Sequence, residues 1–161
     1  MMKQLYSDED FVRLRTVGKR YIFISVAVLV VCFAICIAVC FFAKDNNFAW
    51  LEATNIAISS IGGCVAIYLL FDKTVPSFAR ADYVDKLLSS TTQSIVGVVK
   101  YTERVSTVAK HVSAKELQLT DDDGRTMVLY WDACLDCPDF DGRRVAFDVV
   151  QNRIVAYEVA E

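Results

Sequence analysis

The sequence predicts a membrane α + β protein, a two-helix transmembrane hairpin followed by a small five-stranded OB/SH3-like β-barrel. Three observations carry this. Tyr21 to Ala43 is an uncharged, almost wholly apolar run of 23 residues, and Ala53 to Phe71 is a second uncharged run of 19. From Ile95 onward the chain changes to short, β-branched, alternating runs separated by turn residues. The bulk composition agrees. At 55% hydrophobic and a mean hydropathy of +0.35, 161 residues are too apolar for an ordinary soluble domain; at 23% charged they are too polar to be membrane throughout.

Residues 1–20 read as a cytoplasmic amphipathic segment. "SDED" at 7–10 is a helix start, with Ser7 as cap and three acids at the positive end of the helix dipole. Phe11, Leu14 and Val17 then recur at helical spacing, so the helix either lies on the membrane surface or runs directly into the first span.

The hairpin occupies 21–71, with spans at about 21–43 and 50–71, since a helix needs roughly 20 apolar residues to cross the hydrocarbon core. A cleaved leader is disfavoured: the apolar run exceeds the roughly 7–15 residues of a signal-peptide core, and no small-residue cleavage site follows. Aromatic residues Phe48, Trp50, Tyr68 and Phe71 flank the second span. Lys3, Arg13, Arg15, Lys19 and Arg20 precede the hairpin, and Lys73, Arg80 and Lys86 follow it, against one lysine in the connecting "KDNNF". The positive-inside rule therefore puts both termini in the cytoplasm and the protein in the plasma (inner) membrane.

Inside the spans, Cys32, Cys36 and Cys40 recur every fourth residue on one helix face. They read as small packing residues rather than ligands. The second span offers a matching small face in Ser59, Gly62, Gly63 and Ala66, which lets backbones approach closely. That face is expected to meet the first span of the same chain, with a neighbouring subunit as the alternative.

Residues 72–94 are expected to form a juxtamembrane helix or stiff connector, interrupted by Pro76 and beginning near Ser77. Phe78, Val84, Leu87 and Leu88 make its apolar side, and "SSTTQS" is the boundary. The cytoplasmic barrel, 95–161, is read as strands in "IVGVVKYTERVST", "KELQLT", "RTMVLYWDA", "RRVAFDVV" and "RIVAYEVA", with turns at "DDDG" and "QN". In the last two, Val145, Phe147 and Val149 share a face, and Ile154, Ala156 and Glu158 alternate with Val155, Tyr157 and Val159. Closing such short strands into a barrel hides their edges with least material.

The final stretch "DFDGRRVAFDVVQNRIVAYEV" resembles the last hairpin of the membrane-anchored OB-type domain of the NfeD family, in which a glycine precedes two alternating strands. The resemblance covers about 20 residues. It implies a membrane-tethered interaction barrel.

The remaining motif is "DACLDCPDFDGRR", in which two residues separate Cys134 from Cys137. A cytoplasmic location argues against a structural disulfide. A thioredoxin-type centre needs its first cysteine at a helix N-terminus, whereas Pro138, Asp139, Asp141 and Gly142 follow here, and Asp132, Asp136, Asp139 and Asp141 oppose a thiolate. As metal ligands, Cys134 and Cys137 supply two of the four that zinc takes, and His111 is the only histidine. Two unligated thiols in a loop is the simpler reading. "DDDG" lacks the spacing of a calcium loop.

No nucleophile elbow, P-loop, dinucleotide fingerprint or zincin motif occurs, so no enzyme activity and no cofactor are expected. From Asp72 to the end, eleven Lys/Arg stand against fifteen Asp/Glu, which argues against nucleic acid. Tyr130, Trp131, Phe147 and Tyr157 are conceivable base-stacking platforms, but at strand spacing they read as core. The expected partners are the lipid bilayer and either another protein or a second copy of the chain. The expected role is a non-catalytic scaffold or assembly subunit, and the alternative is a self-oligomerising ligand sensor or pore-forming protein.

Overall fold

The computed structural model describes residues 2–41 and 48–159. The end of the expected first span, Phe42 and Ala43, and the loop residues 44–47 lie outside them. The chain comprises two long apolar helices followed by a mixed sheet, and it divides into two compact units, Arg15–Phe78 and Met1–Leu14 with Ala79–Glu161.

Helix α1, Asp8–Cys40, is one uninterrupted run of 33 residues. Its start is a capping box: the Ser7 hydroxyl accepts from the Asp10 amide at 3.3 Å, and the Asp10 carboxylate accepts from the Ser7 amide at 3.0 Å. Helix α2, Phe48–Tyr68, continues through a π-helical turn, Leu69–Thr74, into α3, Val75–Ser89. Pro76 thus does not interrupt the chain as its sequence position suggested. Proline removes one amide donor and crowds the preceding turn, and the wider π turn absorbs this, with the Val75 amide bonding back to the Leu70 carbonyl.

In the Arg15–Phe78 unit, α1 and α2 pack through small residues. Both are long and apolar enough to cross a membrane. Most of their large side chains, Phe23 (75% exposed) and Phe33 (68%) among them, face outward from the protein. At the other end of this unit Gly18 receives the Phe78 ring, which would lie 2.9 Å from a β-carbon there.

The sheet has six strands: β1 (Lys3–Gln4), β2 (Gln93–Ala109), β3 (Val112–Thr120), β4 (Thr126–Asp132), β5 (Arg144–Val150) and β6 (Arg153–Val159). Neighbours run β1-β6-β4-β3-β2-β5, and β5 pairs back onto β6. All pairings are antiparallel except a single parallel contact, Tyr130 with Arg153, between β4 and β6. The count differs from the expected five because the N-terminal segment adds β1 to β6. Residues 1–20 are therefore not one amphipathic surface segment; they supply a strand, a cap and the first turns of α1.

Strand β2 is long enough to serve two neighbours. Its first residues pair with β5 and the remainder with β3, and two register shifts, between Tyr101 and Val105 and between Thr107 and Ala109, bend it. At the changeover Gly97 is needed, because a β-carbon would collide with the Thr120 carbonyl. The β5–β6 turn is Gln151–Asn152, both at positive φ, as a two-residue hairpin with the right-handed strand twist requires.

Two apolar clusters hold this unit. The first gathers Val99, Leu117, Leu119, Leu129, Trp131, Phe140, Val145, Phe147, Val149, Ile154 and Tyr157. The second gathers Tyr6, Tyr83, Val84, Leu87, Val112, Val150 and Val155, with Phe11 and Leu14 against it. Strand β6 is buried at four consecutive residues, Ile154–Tyr157, because the N-terminal segment and α3 cover its second face. The alternation read from sequence also breaks here. Register slips by one between Asp148 and Val149, so Val155 is extra, and Ile154 and Tyr157 share the first cluster while Val155 joins the second.

Candidate functional site

The cysteine stripe of α1 lies against α2. A β-carbon on Gly62 would collide with the Cys32 sulfur, Cys36 Sγ lies 3.7 Å from Ser59 Oγ, and Asn55 Nδ2 donates to Cys40 Sγ at 3.5 Å. These partners descend one helix as they climb the other, so the helices run antiparallel. Ala66 is buried with Gly62 and Leu51, whereas a β-carbon on Gly63 would meet open space. The small face read from sequence is thus two faces. Asn55 carries a further feature: its Oδ1 is buried without a hydrogen-bond partner among the described residues.

In the other unit, the loop after β4 is not simply a surface loop. Phe140 is fully buried and packs edge-on to Trp131 (5.7 Å), Phe147 (5.7 Å) and Tyr157 (5.1 Å). Trp131, Phe147 and Tyr157 are therefore core, unavailable for base stacking, and Tyr130 is half-buried. The Tyr101 hydroxyl ties the loop down by donating to the Pro138 carbonyl and accepting from the Phe140 amide. A phenol has one proton to give, so at its 3.2 Å contact with Cys137 Sγ the thiol is the donor. Burial, then the neighbouring thiol, pushes the Tyr101 phenol up to about 12. Burial, aided by Asp139, likewise raises the Cys137 thiol against the opposing pull of Tyr101 and Lys115.

Cys134 is exposed and Cys137 half-buried. Among the described residues no group of three or more His, Cys, Asp or Glu side chains is gathered as a metal site, so the structure adds no further ligand to the pair. His111 sits exposed in the β2–β3 turn at positive φ, remote in role from the cysteines. "DDDG" is the β3–β4 turn, organised by Asp121 Oδ1 accepting from the amides of Asp123 and Arg125.

The constellation that sequence reasoning missed centres on Asp132, the last residue of β4. Its side chain is 0% exposed. Oδ2 accepts from Arg80 Nη2 at 2.9 Å and from the Tyr6 hydroxyl at 3.1 Å, and Oδ1 accepts from the Cys134 amide at 2.9 Å. Arg80 arrives from α3, whose Ala81, Tyr83, Val84 and Leu87 are buried, and Tyr6 comes from just ahead of α1. Tyr6 meets Tyr83 edge-on at 6.3 Å, and the Arg153 guanidinium lies 5.3 Å above the Tyr83 ring while donating to the Val108 carbonyl. Burial, Tyr83 and Asp132 push the Tyr6 phenol far above its ordinary value, so it stays a donor. Burial works against the Arg80 charge, but Asp132 and Cys134 outweigh it and raise its value. The only sequence sign of this node is an acid closing the apolar run "MVLYWD".

Chemically, a buried carboxylate that is paired with an arginine and accepts two further hydrogen bonds holds chain segments together. The fold and site define a protein with two long apolar helices, a mixed sheet and a buried, hydrogen-bonded Arg80–Asp132 ion pair. Comparison with protein-family models, curated proteins and solved structures finds no match to this chain.

Proposed function

We propose that this chain is an integral membrane protein in which α1 and α2 cross the bilayer as a hairpin and hold the strand unit, closed as a small barrel, at the cytoplasmic face. It acts there as a non-catalytic scaffold or assembly subunit, binding protein at the membrane surface. The observation that carries this reading is the outward apolar surface of α1, on which Phe23, Val30, Val31 and Phe33 are all more than half exposed. A core helix of a soluble protein buries such side chains; a bilayer solvates them. Closure of the barrel is supported by the return of β5 and β4 onto β6.

The test is alkaline extraction of membranes followed by crosslinking in intact membranes and mass spectrometry of the adducts. Retention in the membrane pellet with a distinct protein attached near the strand unit supports the scaffold reading; extraction as a soluble chain overturns it.

The alternative, a self-oligomerising ligand sensor or pore-forming membrane protein, draws on two observations. Open space at Gly63 leaves a small-residue surface on α2. A polar cleft in the strand unit is lined by Ser106, Thr107, Tyr130, Gln151 and Arg153. Adducts containing only copies of this chain would favour it.

A further inference from the structure

The cleft in the strand unit has a volume of about 250 Å³, below the roughly 300–1,000 Å³ of sites that take drug-sized ligands, so it suits a smaller molecule. Apart from Val108 its lining side chains are all polar, and Arg153 carries the charge. The Arg153 guanidinium is half-buried and held by two contacts. It lies 5.3 Å above the Tyr83 ring, and Nη2 donates to the Val108 carbonyl at 2.9 Å. A guanidinium has five N–H donors, and among the described residues that carbonyl is its one acceptor and no carboxylate pairs with it. A cation held partly out of water with donors to spare is matched by an oxyanion, which its planar fork can bond twice.

The neighbours narrow the ligand further. Ser106 Oγ gives its proton to the Glu116 carboxylate, so towards a ligand it acts as an acceptor. Glu116 is also the cross-strand partner of Tyr130, which sets a negative charge beside the cleft. That charge opposes a second negative charge on the ligand, and the Ser106 oxygen calls for a donor on it. We infer that the cleft binds a small monocarboxylate bearing a hydroxyl or amino group, with the carboxylate on Arg153 and the donor towards Ser106 Oγ. The site gives the ligand-sensing alternative its ligand class, and rests on that reading only for what binding does. Every residue of it lies in one compact unit, so binding is independent of whether α1 and α2 cross a bilayer.

Thermal unfolding of the full chain in detergent micelles at pH 8 tests it, with sodium lactate, glycine, sodium acetate, inorganic phosphate and sodium chloride as the probes. Lactate or glycine is expected to raise the midpoint saturably by about 2–5 °C, more than acetate does. Phosphate, mainly a dianion at that pH, and chloride are expected to give no saturable rise. R153M removes the fork and should abolish the effect. T107F fills the cleft from an exposed position and leaves Arg153 in place, so it should abolish the effect too, and it keeps the test valid where R153M fails to fold. The assignment is overturned if neither lactate nor glycine acts saturably, if acetate, phosphate or chloride matches them, or if T107F keeps the response.

Discussion

Arg80 Nη2 and Asp132 Oδ2 meet at 2.9 Å with the aspartate side chain wholly removed from solvent and the arginine side chain 25% exposed. Such a pair is a poor source of net stability relative to apolar residues of the same shape, but breaking it strands a charge. R80A or D132A is expected to destabilise the strand unit by about 3–5 kcal/mol. The double variant R80A/D132A is expected to lose clearly less than the sum of the two single changes. Denaturant unfolding of the four proteins completes the cycle; strict additivity would mean the two side chains do not share their energy.

Tyr6 makes the weaker of the two contacts to Oδ2, and Y6F deletes the hydroxyl while keeping the ring against Tyr83. A hydrogen bond to a charged acceptor contributes about 1.5–3 kcal/mol. Y6F should cost that much in the same unfolding experiment, and a neutral result would mean the hydroxyl finds water instead.

Phe140 turns a polar loop into part of the core. Truncation to alanine is expected to cost about 3–5 kcal/mol, as for other fully buried phenylalanines. C134S combined with C137S should lower the unfolding free energy by about 1 kcal/mol, nearly all of it from Cys137, which is half-buried against the first cluster, while Cys134 is exposed. Zinc measured in the purified wild-type protein checks the metal reading: stoichiometric metal that is lost in the double serine variant would support it, and none above trace would end it.

Alkaline titration should reveal Tyr101. Its folded value is raised from 10.0 to about 12, so the folded state holds this proton more tightly than the unfolded chain. The stability this contributes is fully present below pH 10 and is lost as pH rises through 12. Cys137, raised as well, adds a loss in the same direction beginning above its unfolded value. Y101F should flatten the fall in denaturation midpoint between pH 10 and 12; an unchanged slope would place the titrating group elsewhere.

Gly62 and Gly63 are adjacent but face different surroundings. G62L would drive a side chain into Cys32 and is expected to cost about 1–3 kcal/mol of hairpin packing, while G63L has room and should leave the hairpin intact. Crosslinking between cysteine pairs engineered across α1 and α2 reads the first effect. Loss of self-association in G63L alone would assign that open face to a second copy.

Several particulars were legible before any tertiary contact was known. Two uncharged runs announced α1 and α2, since nothing but apolar surroundings suits them. Ser7 and the acids behind it announced the start of α1, and Gln151–Asn152 between two alternating runs announced the last hairpin. Other particulars were not. Pro76 reads as a break because the sequence does not display the π turn that absorbs it. The parity of β6 reads as regular because a one-residue bulge at Val155 leaves no mark in a run of apolar residues. Phe140 reads as loop because its neighbours are acids, proline and glycine.

Local pattern was enough to mark the two long apolar helices, the later strands and the turns between them, because these follow from propensity and from periodicity that neighbours in the chain share, but it left out β1 and the π turn. It took the packed chain to bring Tyr6, Arg80 and Cys134 together on Asp132, to leave room for a β-carbon at Gly63 but none at Gly62, and to add a two-residue N-terminal strand to β6. Most of those outcomes depend on contacts between residues far apart in the chain, 52 positions for Arg80 and Asp132, 126 for Tyr6 and Asp132 and more than 150 for β1 and β6, and on which face of β6 is covered, which no local pattern records.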